Sequence, residues 1–198
     1  MELKAISLNC PSCGAPVSTS IENCKFCGRP VIISSFNSVE QMSMLELKKY
    51  SSEYSNILKN QKSSKISFSA GICNLKLKLY DNAIENFEQA VQANIDNVDG
   101  YFYLAISLLK GKKAFLQDRE VIDKVLEYLN AIIEISQQGL YYYFRAYIKY
   151  DYFQRKFYRI EPNYKEDLEK AKILGVSETD KKTLFVMLSV DMPMQLSW

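Results

Sequence analysis

From residue 39 onward, apolar side chains return every three or four positions, the period of a helix with one buried face. Val39, Met42, Leu45 or Leu47, Tyr50, Tyr54, Ile57 and Leu58 keep that step and predict an amphipathic helix over about 39–60. Two more are expected over about 66–79 and 81–92, with Tyr80-Asp81-Asn82 at the turn between them. A second pair holds Tyr101 and Ala105 on its first helix and runs over about 118–134 on its second, after a turn lengthened by Lys110-Gly111-Lys112-Lys113 and its neighbours. A third pair covers about 140–157 and 163–174, where Pro162 and Gly175 act as start and stop signals. Ser177, with Asp180 three residues on, predicts the N-terminus of a last helix over 178–190.

Before residue 34 the helical period is missing. Val17 and Ile21 suit one short strand and a turn, and Pro30-Val31-Ile32-Ile33 is expected as a returning strand. Ser34-Ser35-Phe36-Asn37-Ser38 reads as a polar hinge. The expected organisation is therefore a small β segment at 1–33, a hinge at 34–38 and a helical body over 39–198.

Composition changes this picture mainly by exclusion. The 198 residues are 47% hydrophobic, 24% charged and 13% aromatic, which fits a packed protein and not a disordered one. The net charge of +2 comes without any Lys/Arg block in sequence of the kind that marks a polyanion-binding protein. No apolar stretch approaches bilayer-spanning length and the first residues lack the pattern of a secretion signal, so a cytoplasmic protein with no membrane contact is expected. There is no histidine. Ser-His-Asp and Cys-His catalysis and mixed Cys/His metal sites are excluded, and the chain is expected not to be an enzyme.

Four of the five cysteines carry the clearest chemistry. Cys10-Pro-Ser-Cys13-Gly14 and Cys24-Lys-Phe-Cys27-Gly28 are two Cys-x-x-Cys turns on either side of a short loop. Each turn can set two thiolates on one side of a metal, and the glycine after it allows a positive φ that lets backbone amides face the sulfurs. Two such turns close a tetrahedron around one structural Zn2+, with Cys10, Cys13, Cys24 and Cys27 as the metal ligands. Rubredoxin-like iron uses similar turns, and thioredoxin-like redox chemistry would need a βαβ context absent here. Lys4, Lys25 and Arg29 can screen the charge of the site. Over residues 8–33 the pattern resembles the zinc ribbons of many prokaryotic proteins, a resemblance that implies a structural adaptor module. Cys73, mid-helix among apolar neighbours, reads as a buried small hydrophobe.

Gly71, Tyr80, Ala83, Phe87 and Ala90 fall at the small and large offsets of a tetratricopeptide repeat, which this helix pair resembles. Ile95 stands where that family usually has proline and Ser67 where it has an aromatic. One repeat on, Tyr101 and Ala105 recur, followed by Tyr128 and Ala131, then Ala146, Leu168 and Ala171. The resemblance implies a mainly α, antiparallel helix-pair solenoid behind the ribbon, with the 178–190 helix as its cap. It also implies a concave partner-binding face carrying Phe68, Ile72, Lys76, Phe102, Ile106, Lys110, Tyr143, Tyr147 and Tyr150. Because Phe68 and Ile72 stand where the carboxylate-clamping subfamily has Lys and Asn, an apolar peptide or helix is the expected ligand.

The function expected from these readings is that of a non-catalytic adaptor binding a protein or peptide partner. The alternative is a nucleic-acid-binding regulator that uses the ribbon and the aromatic helix bearing Arg145, Arg155, Lys156 and Arg159. A redox switch that ejects the metal is a third reading. Exposed apolar patches can also pair two copies of the chain.

Overall fold

Where the period is helical the chain is helical. The computed structural model describes residues 5–197, so Lys4 lies outside the described residues. It contains a two-stranded antiparallel sheet, β1 (Ser7–Asn9) and β2 (Pro16–Ser18), in which Leu8 pairs with Val17. Eight α-helices follow among the described residues: α1 (Met44–Leu58), α2 (Ser64–Lys76), α3 (Tyr80–Ala93), α4 (Val98–Leu108), α5 (Arg119–Ile135), α6 (Gly139–Ile148), α7 (Tyr164–Leu174) and α8 (Glu178–Leu188). The chain divides into two units with separate sets of internal contacts, Met1–Asp96 and Asn97–Trp198.

Local chemistry sets the helix ends. Ser43, Ser63, Asn97 and Ser177 each accept a bond from a first-turn amide through the side chain. Asn163 and Glu166 form a complete capping box at the start of α7, and Gly175 ends that helix at φ 78°. In the first unit α2 lies against both α1 and α3, and in the second α4 pairs with α5 and α6 with α7. At the α2–α3 contact Gly71 faces Phe87, whose buried ring would lie 2.6 Å from any Cβ at that position.

Three local expectations change. The first helix begins at Met44, because Ser43 takes the N-cap, while residues 36–39 form one 3-10 turn that buries Phe36 and Val39. Pro30–Ile33 is not a strand. Its backbone pairing is limited to one bridge between Asn23 and Pro30, with the Val31 amide donating to the Glu22 carbonyl (2.8 Å); side chains take its carbonyls, Tyr50 Oη donating to that of Pro30 (2.7 Å) and Tyr54 Oη to that of Val31 (2.8 Å). Ser69 Oγ donates to the Ile33 carbonyl (2.9 Å) and accepts from its amide (3.1 Å). Finally, α6 continues as a π-helical turn, Lys149–Gln154, and the helix stops short of Phe157, which adopts a left-handed φ of 60°.

Candidate metal centre

The two Cys-x-x-Cys turns are built alike. Gly14 N–H donates to the Cys10 carbonyl and Gly28 N–H to the Cys24 carbonyl, each at 2.8 Å, and the two glycines have φ of 78° and 72°. Cys10 N–H donates to the Ala15 carbonyl (2.7 Å) and Cys24 N–H to the Arg29 carbonyl (2.8 Å), which closes each turn at its base. The positive φ falls on the residue type that takes it without steric cost.

These turns bring Cys10, Cys13, Cys24 and Cys27 together, with all four sulfurs within 4.8 Å of one another. Across the turns, Cys10 Sγ is 3.7 Å from Cys27 Sγ and Cys13 Sγ is 3.8 Å from Cys24 Sγ. A tetrahedron of metal–sulfur bonds of about 2.3 Å has edges of about 3.8 Å, so the thiolates fit one four-coordinate ion. Cys10 and Cys24 are buried and Cys13 and Cys27 exposed. Burial pushes the Cys10 thiol up to about 12. At Cys24 burial acts in the same sense, but the amides of Phe26 and Cys27 and the neighbouring sulfurs outweigh it and bring the thiol down to about 7.

The site is tied to the helices of its own unit. Besides the tyrosine and Ser69 contacts to 30–33, Arg29 pairs with Glu46 on α1 (3.2 Å) and the Asn9 amide donates to Glu53 on α1 (3.3 Å). Val31, Ile33, Tyr50 and Tyr54 are buried, as are Leu47 on α1 and Ile66 on α2. A cleft of about 700 Å³ lies beside the first turn, lined by Cys10, Cys13, Gly14, Leu45, Lys48 and Lys49 among others. Cys73 is buried, and burial pushes its thiol up to about 12.

The nine residues expected on a partner-binding face are divided between the units. In the first, Phe68 is half-buried against Phe87, Ile72 is buried, and Lys76 lies over the Phe36 ring at 5.1 Å. In the second, Phe102 and Ile106 are buried, Lys110 is exposed, and Tyr150 is half-buried against Tyr164. Tyr143 and Tyr147 are buried: Tyr143 Oη donates to the Leu196 carbonyl (3.2 Å), and Tyr147 Oη accepts from the Ala114 amide (3.2 Å). Ile72, Phe102, Ile106, Tyr143 and Tyr147 are thus core side chains in this conformation. Helical register selects the inward face and does not say whether a neighbouring helix or a ligand covers it.

The second unit also holds an ion network that the periodicity did not reveal. Asp167 receives Nε and Nη2 of Arg145 at 2.9 and 2.6 Å and Nζ of Lys149 at 2.7 Å, with all three residues buried. Asn130 accepts from Arg145 and the Pro162 carbonyl from Lys149. A sequence signal for it exists: Arg145 and Lys149 stand four apart in an otherwise aromatic, buried helix.

No protein-family model matches the chain, and no curated protein or solved structure matches it. Among the described residues no helix is long and apolar enough to cross a membrane.

Proposed function

We propose that this protein is a non-catalytic adaptor, a tetratricopeptide-like helical body organised at one end by a structural Zn2+ on Cys10, Cys13, Cys24 and Cys27. The observation that carries this reading is the thiolate quartet itself, at tetrahedral spacing and fastened to α1 and α2 by Tyr50, Tyr54 and Ser69. A four-thiolate site leaves no coordination position for an activated water, which favours a structural over a hydrolytic role. Zinc suits such a site in a reducing cytoplasm, being tetrahedral and redox-inert.

The polypeptide partner is assigned to surface side chains of the first unit. Phe26 in the second Cys-x-x-Cys turn is 73% exposed and Leu45 in the first turn of α1 is 68% exposed. The Arg29–Glu46 bridge joins the elements that carry them. Exposed large apolar side chains are what a polypeptide partner would cover. Affinity capture from native lysate after nuclease treatment, followed by mass spectrometry, tests this. Retention of a defined protein by the native chain, and its loss from Phe26→Ser/Leu45→Ser, is the expected result. A chain that retains nothing once nuclease has acted overturns it. Native mass spectrometry checks the ion: one zinc per chain is expected, and none in Cys10→Ser/Cys24→Ser.

A further inference from the structure

In the second unit the fold assembles a basic, aromatic surface from two stretches that are far apart in sequence. Residues 110–117 (Lys-Gly-Lys-Lys-Ala-Phe-Leu-Gln) and 154–160 (Gln-Arg-Lys-Phe-Tyr-Arg-Ile) carry six cations and no carboxylate. They meet because the 3-10 turn Ala114–Leu116 lies against the π-helical turn Lys149–Gln154. The Phe115 amide donates to Asp151 Oδ2 at 2.8 Å, the Arg155 guanidinium sits 4.4 Å from the centre of the Phe115 ring, and Lys156 Nζ lies 5.2 Å from Phe115 and 3.8 Å from Tyr152.

Cations outnumber carboxylates at this surface. Asp151 is buried and bound by Arg155 at 2.5 Å, Asp191 lines a hollow shared with Lys113 and Arg155, and Asp118 and Glu161 stand at the margins of the two stretches. Six cations here, in a chain of net charge +2, make a local field that composition conceals. Beside them Phe157 is 92% exposed and Tyr158 53% exposed. The left-handed backbone of Phe157, φ 60°, is a conformation bulky side chains rarely adopt, and the Tyr158 amide bond to the Phe153 carbonyl (2.9 Å) closes that turn. The turn holds an aromatic ring out in water next to a cluster of cations.

We infer that this surface binds single-stranded nucleic acid, with phosphates on the lysines and arginines and unstacked bases on Phe157 and Tyr158. Open aromatic faces within a basic track are the physical requirements for sequence-tolerant single-strand binding. Duplex bases are already stacked and cannot use the rings. An acidic polypeptide would engage the cations but leave the rings without planar partners. The inference does not rest on the adaptor reading, and its test needs no other protein.

The test is fluorescence anisotropy of a labelled oligo-dT of about twenty nucleotides with the purified, metal-loaded chain. Binding is expected to weaken with salt, with a slope of log K on log salt near −0.7 for each phosphate neutralised. Lys112→Glu/Lys156→Glu is expected to cost more than about tenfold in affinity and to flatten that slope. Phe157→Ala is expected to cost about tenfold and leave the slope as it was. The ring touches almost only solvent, so this variant keeps the fold, as circular dichroism would verify. Lys62→Glu/Lys65→Glu at the start of α2 makes the same charge change on exposed residues of the other unit and is expected to bind as the native chain does. No binding at low salt, unchanged affinity in both surface variants, or equal affinity for duplex DNA or labelled poly-glutamate overturns the proposal.

Discussion

At the scale of single residues, two positions leave little room for exchange. Gly71 allows α2 to meet the Phe87 ring, which is buried on every side and cannot swing clear. Gly71→Val is expected to lower stability by about 1–3 kcal/mol through overpacking, more than the helix-propensity gain of at most about 1 kcal/mol returns. Urea denaturation reads the difference, and an unshifted midpoint would show that the ring repacks. Asp167 is the anion for both Arg145 and Lys149. Asp167→Asn keeps the shape but strands two buried cations, a loss of about 3–5 kcal/mol. Burial already holds Lys149 below its ordinary 10.5, even with Asp167 beside it. The unfolded chain therefore binds that proton more tightly than the folded one, and stability rises with pH from the folded value towards 10.5. Removing Asp167 lowers the folded value further, so the deficit of the variant relative to the native chain is expected to shrink as pH is raised through the alkaline range. A deficit that is flat or grows with pH would show that Lys149 does not relieve the strain.

At the scale of elements, the Cys-x-x-Cys turns carry their chemistry openly in sequence, because ligand type, spacing and the following glycine are all local. Helix ends are equally legible: Ser177 with Asp180, and Gly175 as a stop, act within one turn of their own positions. What holds 30–33 is not local. Tyr50 and Tyr54 fit the apolar stripe of α1, and nothing in that stripe tells that their hydroxyls reach the Pro30 and Val31 carbonyls. The expected strand fails there because side chains satisfy the backbone that a partner strand would have paired. Metal binding must strip the protons from Cys10, whose thiol is pushed up to about 12 by burial, and from Cys13, whose thiol the Ala15 amide pulls down but burial and the Cys27 and Cys24 sulfurs together raise, while Cys24, near 7, adds a third proton in acid. Metal affinity is thus expected to fall by at least about a hundredfold per pH unit below neutrality, and faster below pH about 7. Competition with a chromophoric chelator across pH measures this; a pH-independent affinity would mean the thiols are not the ligands.

At the scale of the molecule, one helix pair follows another on both sides of the short loop at 94–97, yet the internal contacts separate there into two units. Periodicity reports that a face is buried, not which neighbour buries it, and this is also why Ile72 and Tyr147 could be read as groove lining and stand in cores. The two units differ in what their cores depend on. The first encloses 30–33 under α1 and α2, so the segment that follows the cysteine cluster is part of its interior. The second is built on Phe102, Tyr143, Phe144, Tyr147 and Phe185 with the Asp167 network, and has no part in the cysteine cluster. Metal removal should therefore act unevenly. In hydrogen exchange of the chelated chain, amides of α1 and of α2 around Ser69 are expected to lose protection, while those of α4, α5 and α6 keep theirs. Binding energies of structural zinc are of order 10 kcal/mol, comparable with the stability of a whole domain, so the loss in the first unit should approach global unfolding of that unit. Uniform loss of protection along the chain would show instead that the two cores unfold as one, and that the ion stabilises the whole protein.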